Sequence, residues 1–353
     1  MKKILLVVGS VALVLLAVAG ALIWYYMAKP LYEPGTIAAN GSLRASLVPP
    51  AQSGDGWTVE PGIRLRHFEH GAGRKVLVVH GGPGMPFERP LPGLEPLSAR
   101  YTFVYYDQRG CGQSTRPVDR FSSSNFYANV KRLEKSLGLT AQVADIERIR
   151  RLLGEEKLIL LGHSFGGFLA SLYAAEFPER VSALLLVAPA SVLVLPAEGD
   201  GLFGEVGRLL PPEMAGEYAG YLKSYFDYRT IFARSEAELA AMNAGFGKYY
   251  QVAAKAKGFA VPEAGAPGGW MVEAMYFSMG KRHDYRHALG KVTAPVLVVH
   301  GQNDIQPERA SRQYAGAFPN SKFRVIANAG HFPFADQPAD FAAAAGEFLG
   351  RPN

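Results

Sequence analysis

The chain has a single cysteine, Cys111, in 353 residues, so no internal disulfide can staple it. Charge of one sign is nowhere concentrated. The formal net charge is +6, but Arg148, Arg150 and Arg151 share a predicted helix with Asp145 and Glu147, and a nucleic-acid-binding role is not supported. Metal-ligand clusters are missing as well. His283 and His287 stand four apart in KRHDYRH, yet no third ligand with suitable spacing accompanies them, and Lys281, Arg282 and Arg286 would repel a cation. No metal and no other cofactor is expected, and neither an internal repeat nor a long low-complexity stretch interrupts the chain.

What remains is a chain 48% hydrophobic and 19% charged, long enough for one sizeable core with an insertion. Its most informative segment is KLILLGHSFGG, Lys157–Gly167. A short apolar run enters G-x-S-x-G, a pattern in which a strand turns sharply into a helix and glycines permit close approach, leaving the serine hydroxyl exposed. Helix-spaced apolar and small residues continue through Phe165–Phe177, and Pro178 ends the run. Ser164 is the candidate nucleophile.

A serine hydroxyl needs a base to take its proton and a carboxylate to orient that base. Downstream, PVLVVH (Pro295–His300) reads as a buried strand, with Asp304 in the loop after it. A further strand, Lys322–Ile326, leads to NAGHFPFADQP, which sets His331 in a loop before the last helix. The order Ser164, Asp304, His331 is that of α/β-hydrolases.

Upstream, KVLVVH (Lys75–His80) closes on the glycine turn Gly81–Gly84. Backbone N–H groups there can point at a substrate oxygen, and Gly82 with Phe165 is the candidate oxyanion pair. A third strand, Tyr101–Asp107, ends in DQRGCGQS, where Arg109 could brace the loop against a carboxylate. His80, His163 and His300 read as structural or pocket-lining.

HGGPG, DQRGCGQS, a serine elbow and late Asp and His together resemble the proline iminopeptidases and related serine aminopeptidases of the α/β-hydrolase superfamily, from about Val59 onward. The resemblance implies a mostly parallel central sheet with helices on both faces and an inserted helical cap. It also implies the triad roles for Ser164, Asp304 and His331. In that family glutamates of the cap hold the substrate's free α-ammonium group, and Glu273 in GGWMVEAMYF is in the matching segment. Glu198 and Glu263 are candidates for a second carboxylate. The elbow departs from the family's GGSWG, since GHSFGG is closer to general ester hydrolases. The implied function is release of an N-terminal residue from short peptides. The rivals are an esterase or amidase on small hydrophobic acyl substrates and a non-catalytic binding protein on a hydrolase scaffold.

Between Ala190 and Gly290 the strand-helix alternation stops. Tyr218, Tyr221, Leu222 and Tyr225 fall at i, i+3, i+4 and i+7, which predicts an amphipathic helix whose aromatics build the core of a cap. At the N-terminus, Lys2 and Lys3 precede the apolar run Ile4–Met27, long enough to cross a bilayer. The expectation is a membrane anchor over residues 1–28 with the catalytic domain outside the cytoplasm; cleavage of a signal peptide after Ala17–Ala19 is the alternative. The expected organisation is then a linker over 29–56, core over 57–190 and 291–353, and cap over 191–290.

Overall fold

The strand β3 (Arg74–Val79) shows why the sheet is buried on both faces. Leu77 and Val79 join one apolar cluster, while Val76 and Val78 join another, because successive side chains of a strand point to opposite faces. The same division holds along β5 (Leu158–His163), β6 (Val181–Val187) and β9 (Val296–Gly301). Strands covered on both sides read as continuous aliphatic runs rather than alternating ones.

A computed structural model describes residues 13–20, 25, 28–37 and 54–350. Besides the strands just given it contains β1 (Gly56–Glu60), β2 (Ile63–Gly71), β4 (Tyr101–Tyr106) and β10 (Ser321–Ile326), with the short β7 (Val194–Leu195) and β8 (His283–Asp284) paired apart. The main sheet runs β1-β2-β4-β3-β5-β6-β9-β10. β1/β2 and β2/β4 are antiparallel and all other pairs are parallel. The chain leaves β3 for β4 on one side and then crosses to β5 on the other. Loops at the carboxyl ends of strands diverge at such a switch point and leave a crevice. The loops after β3 and β5, which carry Gly82 and Ser164, flank it.

Helices Gly201–Leu209, Ala215–Tyr225, Glu236–Ala256 and Trp270–Met279 lie between β6 and β9 in the chain. The third starts at a capping box: Ser235 Oγ accepts from the Glu238 N–H, and the Glu238 carboxylate accepts from the Ser235 N–H. A separate apolar cluster holds this region together, with Val206, Tyr218, Tyr249, Tyr250, Ala253 and Phe259. Ile305, from the loop after β9, belongs to the same cluster.

The expected membrane anchor is corrected. Among the described residues no helix is long and apolar enough to cross a membrane. Of Ile4–Met27, residues 13–20 are described and helical. The other positions of that run, Tyr25 apart, lie outside the described residues, whereas Gly20, directly after the cleavage site weighed as the alternative, is described and helical. The extracytoplasmic placement of the catalytic domain and the membrane as a partner rested on the span and fall with it. The segment from Ala28 to Ile37 is packed into the body: Ala28, Tyr32 and Ile37 are buried, Tyr32 donates to the Glu176 carboxylate at 2.8 Å, and Tyr285 donates to the Tyr32 carbonyl at 2.8 Å. Residues 38–53 of the expected linker lie outside the described residues.

Candidate active site

Ser164 sits between the last residue of β5 and the first of the helix Phe165–Glu176. Its backbone is at φ 54°, ψ −122°, a conformation that costs a non-glycine residue energy and that surrounding structure must hold in place. Two hydrogen bonds do so, from the Ser164 N–H to the Val187 carbonyl at 2.9 Å and from the Ala190 N–H to the Ser164 carbonyl at 3.0 Å. Close packing explains the glycines around it. A Cβ on Gly166 would collide with the carbonyl oxygens of Val79 and His80, and one on Gly81 would stand 2.7 Å from the Ser164 Cβ. The glycine turn after β3 is thereby pressed against the serine.

Phe165 is the first residue of its helix, where a backbone N–H has no acceptor within the helix. Gly82, at φ 116°, adopts a conformation that a side chain would resist. The Gly81 carbonyl accepts from the Met85 N–H at 3.0 Å and from His80 Nδ1 at 3.0 Å. In a planar trans peptide the Gly82 N–H points opposite to that carbonyl, so pinning one end aims the other. The His80 ring is itself fixed, with the Gln108 N–H donating to Nε2 at 3.1 Å, and burial pushes its pKa down to about 4.

Asp304 lies in the loop after β9 and His331 in the loop after β10. Their side chains meet: His331 Nδ1 stands 2.9 Å from Asp304 Oδ2. The other carboxylate oxygen accepts from the Gln306 N–H at 2.9 Å. With Nδ1–H donated to the acid, Nε2 is the nitrogen left with a lone pair. His163, beside the serine, places its ring 4.9 Å from that of His331 and donates from Nε2 to the His331 carbonyl at 2.9 Å. Burial, with His331 close by, holds His163 well below the ordinary imidazole range, so it is a neutral brace. Arg109 binds Asp145 through two nitrogens, at 2.6 and 2.5 Å, and braces the loop after β4.

Ser164, Gly82, His163 and His331 line one cavity of about 190 Å³, walled by Met85, Phe87, Leu202, Phe203, Phe246 and Val261 among others. Glu273 is in the first turn of Trp270–Met279, buried, and not in the cavity wall itself, although its neighbours Val272 and Tyr276 are. Neither carboxylate oxygen of Glu273 has a hydrogen-bond partner, and burial raises its pKa from an ordinary 4.5 to about 7, with Arg234 pulling weakly the other way. Glu263 does line the cavity, but its side chain is exposed and paired with Arg89 at 2.8 Å. Glu198 lines a different recess, beside Arg309. Of the aromatics expected in the cap core, Tyr218 is in the apolar cluster and Tyr225 is in the cavity wall. Asn243 and Tyr250 of the Glu236–Ala256 helix also reach the wall. No motif announces either of them.

The sequence profile of the alpha/beta hydrolase fold family matches residues 75–338. The proline iminopeptidase of Heyndrickxia coagulans is 27% identical over 302 residues, covering 80% of this chain and 92% of that one. Among solved structures, the proline iminopeptidase of Mycobacterium smegmatis superposes with a TM-score of 0.53 at 21% identity, over 82% of this chain and 95% of that one. An esterase from Exiguobacterium antarcticum does so with a TM-score of 0.56 at 20% identity, over 82% and 97%. At those identities the structural likeness is one of fold.

Proposed function

The chain belongs to the alpha/beta hydrolase fold family and is a hydrolase with proline iminopeptidases among its relatives, and we propose that it works by a Ser164-His331-Asp304 triad as an aminopeptidase-like enzyme on short peptides. The observation that carries the chemistry is the 2.9 Å contact of His331 with Asp304 at the wall of the cavity that also holds Ser164. Ser164 Oγ attacks the scissile carbonyl carbon while His331 Nε2 takes its proton. Asp304 keeps Nδ1–H oriented and stabilises the imidazolium. The oxyanion that forms accepts from the N–H groups of Gly82 and Phe165. Collapse breaks the C–N bond, and His331 returns the proton to the leaving amine. Water then attacks the acyl-serine, its proton passing through His331 to Ser164 as the acid is released.

The preference for a free amine rests on Glu273. A buried carboxylate with no protein partner is costly, and an ammonium group that reached it past Val272 and Tyr276, its neighbours in the cavity wall, would supply the missing one. The cavity's largely apolar wall supports a second reading, an esterase or amidase on hydrophobic acyl groups. Prolyl and other aminoacyl arylamides assayed beside p-nitrophenyl esters decide between them. Turnover of the arylamides, abolished in Ser164→Ala, is expected; turnover of esters alone replaces the aminopeptidase reading with the esterase, and no turnover of either class in the wild type sinks both.

A further inference from the structure

Buried polar atoms are nearly always hydrogen-bonded, and two on the Glu236–Ala256 helix are not. The Tyr250 hydroxyl and the Asn243 side-chain oxygen are both sealed from solvent without a protein partner. Both residues line the cavity that holds Ser164 and His331. Asn243, Phe246, Gly247 and Tyr250 stand at i, i+3, i+4 and i+7, which places them on one face of the helix, turned to the cavity. An unmet hydrogen-bonding group costs the fold about 1–3 kcal/mol. A bound ligand that meets it recovers that cost.

The two atoms demand different chemistry. Burial, with Asp304 and Asp336 adding to it, pushes ionisation of Tyr250 well above the ordinary phenol range, so its hydroxyl is a donor. Asn243 already uses its Nδ2, which donates to the Gly268 carbonyl at 2.7 Å, and has only an acceptor left. Their positions differ too. The Tyr250 ring meets the His331 ring edge-on with centroids 6.2 Å apart, at the reacting end. Asn243 lies seven residues earlier, about 10 Å along the helix axis.

We propose that this helix face reads the substrate at two points, Tyr250 donating to an oxygen beside the bond that breaks and Asn243 accepting from an N–H or O–H at the far end. The inference rests on the Ser164-His331 reading above. An α-amino group adjacent to the carbonyl falls short of Asn243, so the contact belongs to the remainder of the molecule. The substrate class is an acyl compound whose chain carries a hydrogen-bond donor away from the carbonyl.

Two measurements test this. Tyr250→Phe removes only the hydroxyl, and kcat/KM on p-nitrophenyl octanoate is expected to fall about tenfold, the worth of one buried hydrogen bond. The melting temperature is expected to hold or rise, because no protein hydrogen bond is lost and an unmet buried hydroxyl is removed. A structural hydroxyl would lower it. In the second, p-nitrophenyl 8-hydroxyoctanoate is compared with the plain octanoate. The wild type is expected to favour the hydroxylated ester several-fold in kcat/KM, and Asn243→Leu to erase that ratio, the plain ester serving as control for damage from the lost Gly268 bond. Undiminished kcat/KM in Tyr250→Phe, a lowered melting temperature in that variant, or equal wild-type rates on the two esters overturns the proposal. Turnover that survives in Ser164→Ala instead overturns the reading of the site beneath it.

Discussion

A Cβ added to Gly81 would stand 2.7 Å from the Cβ of Ser164 and 2.9 Å from the His163 carbonyl oxygen. Real Cβ atoms do not approach so closely, and neither neighbour is free to give way, because the elbow backbone is held on both sides. Gly81→Ala is therefore expected to push the glycine turn away from the serine. The change should lower kcat at least tenfold through misplaced oxyanion donors, since loss of one such donor costs about 10²–10³. Titration with a serine-directed phosphonate checks it: labelling should slow with turnover, and unchanged kcat would show that the turn and the serine are independent.

Members of a triad act as a unit, and removing the serine alone costs about 10⁶-fold in kcat. Ser164→Ala should reach that floor while its circular dichroism and melting temperature stay near those of the wild type. A fluorophosphonate should label Ser164 in the wild type, located by peptide mass. Labelling elsewhere, with turnover intact in the variant, would remove Ser164 from the mechanism.

As the proposed ammonium anchor, Glu273 would link specificity to pH. Its pKa of about 7 means that the anionic form needed to hold an ammonium group gains population as pH rises through 7. The ratio of kcat/KM on aminoacyl arylamides to that on p-nitrophenyl esters should climb from about pH 6 to 8, with its midpoint near 7, and then level. Taking the ratio cancels the limb that both substrates share through His331. Glu273→Gln should flatten the climb and cost the arylamides tens-fold while sparing the esters. Parallel pH profiles for the two substrates in the wild type would take Glu273 out of the site.

The same residue makes a stability prediction of definite sign. A carboxyl whose folded pKa is raised binds its proton more tightly in the native state, so its contribution is full below about pH 4.5 and is lost as pH rises through 7. The difference of about 2.5 units corresponds to about 3 kcal/mol. Glu273→Gln should thus melt several degrees above the wild type at pH 8, with the gap closing at pH 4. Thermal scans at the two pH values decide it, and a variant that melts lower at pH 8 would show that the carboxylate has a partner.

Cys111 is buried beside His80, and burial raises its thiol well above the ordinary range, so little thiolate forms at neutral pH. A disulfide-exchange reagent should find no reactive thiol in the native protein and one after denaturation. Rapid native labelling would contradict the packing of the loop after β4.

The sheet was legible because its central strands are buried on both faces and show as unbroken aliphatic runs ending in glycine loops. The elbow was legible for a local reason: Gly162 and Gly166, on either side of Ser164, answer a steric demand that a side chain would fail. Asn243 and Tyr250 obey no such local rule. They are ordinary helix residues whose significance comes from what does not face them, and only packing reveals that. Glu273 is similar, since its position in a motif-like segment says nothing about the missing partner. At the N-terminus, hydropathy alone suggested a span over Ile4–Met27, whereas among the described residues no helix is long and apolar enough to cross a membrane.

Ile305, next to Asp304, is packed in the apolar cluster of the helices between β6 and β9, and Gly330, next to His331, lies so close under Phe259 that a Cβ would enter its ring. The loops that carry Asp304 and His331 are thus bolted to the roof of the cavity rather than merely covered by it. A graft of residues 201–279 from a relative would need to bring its own counterparts of Ile305 and Gly330, and specificity cannot be exchanged as a detachable module. Any rocking of that roof would pull on the two loops at once, so the chain ties the choice of substrate and the alignment of Asp304 with His331 to a single mechanical part.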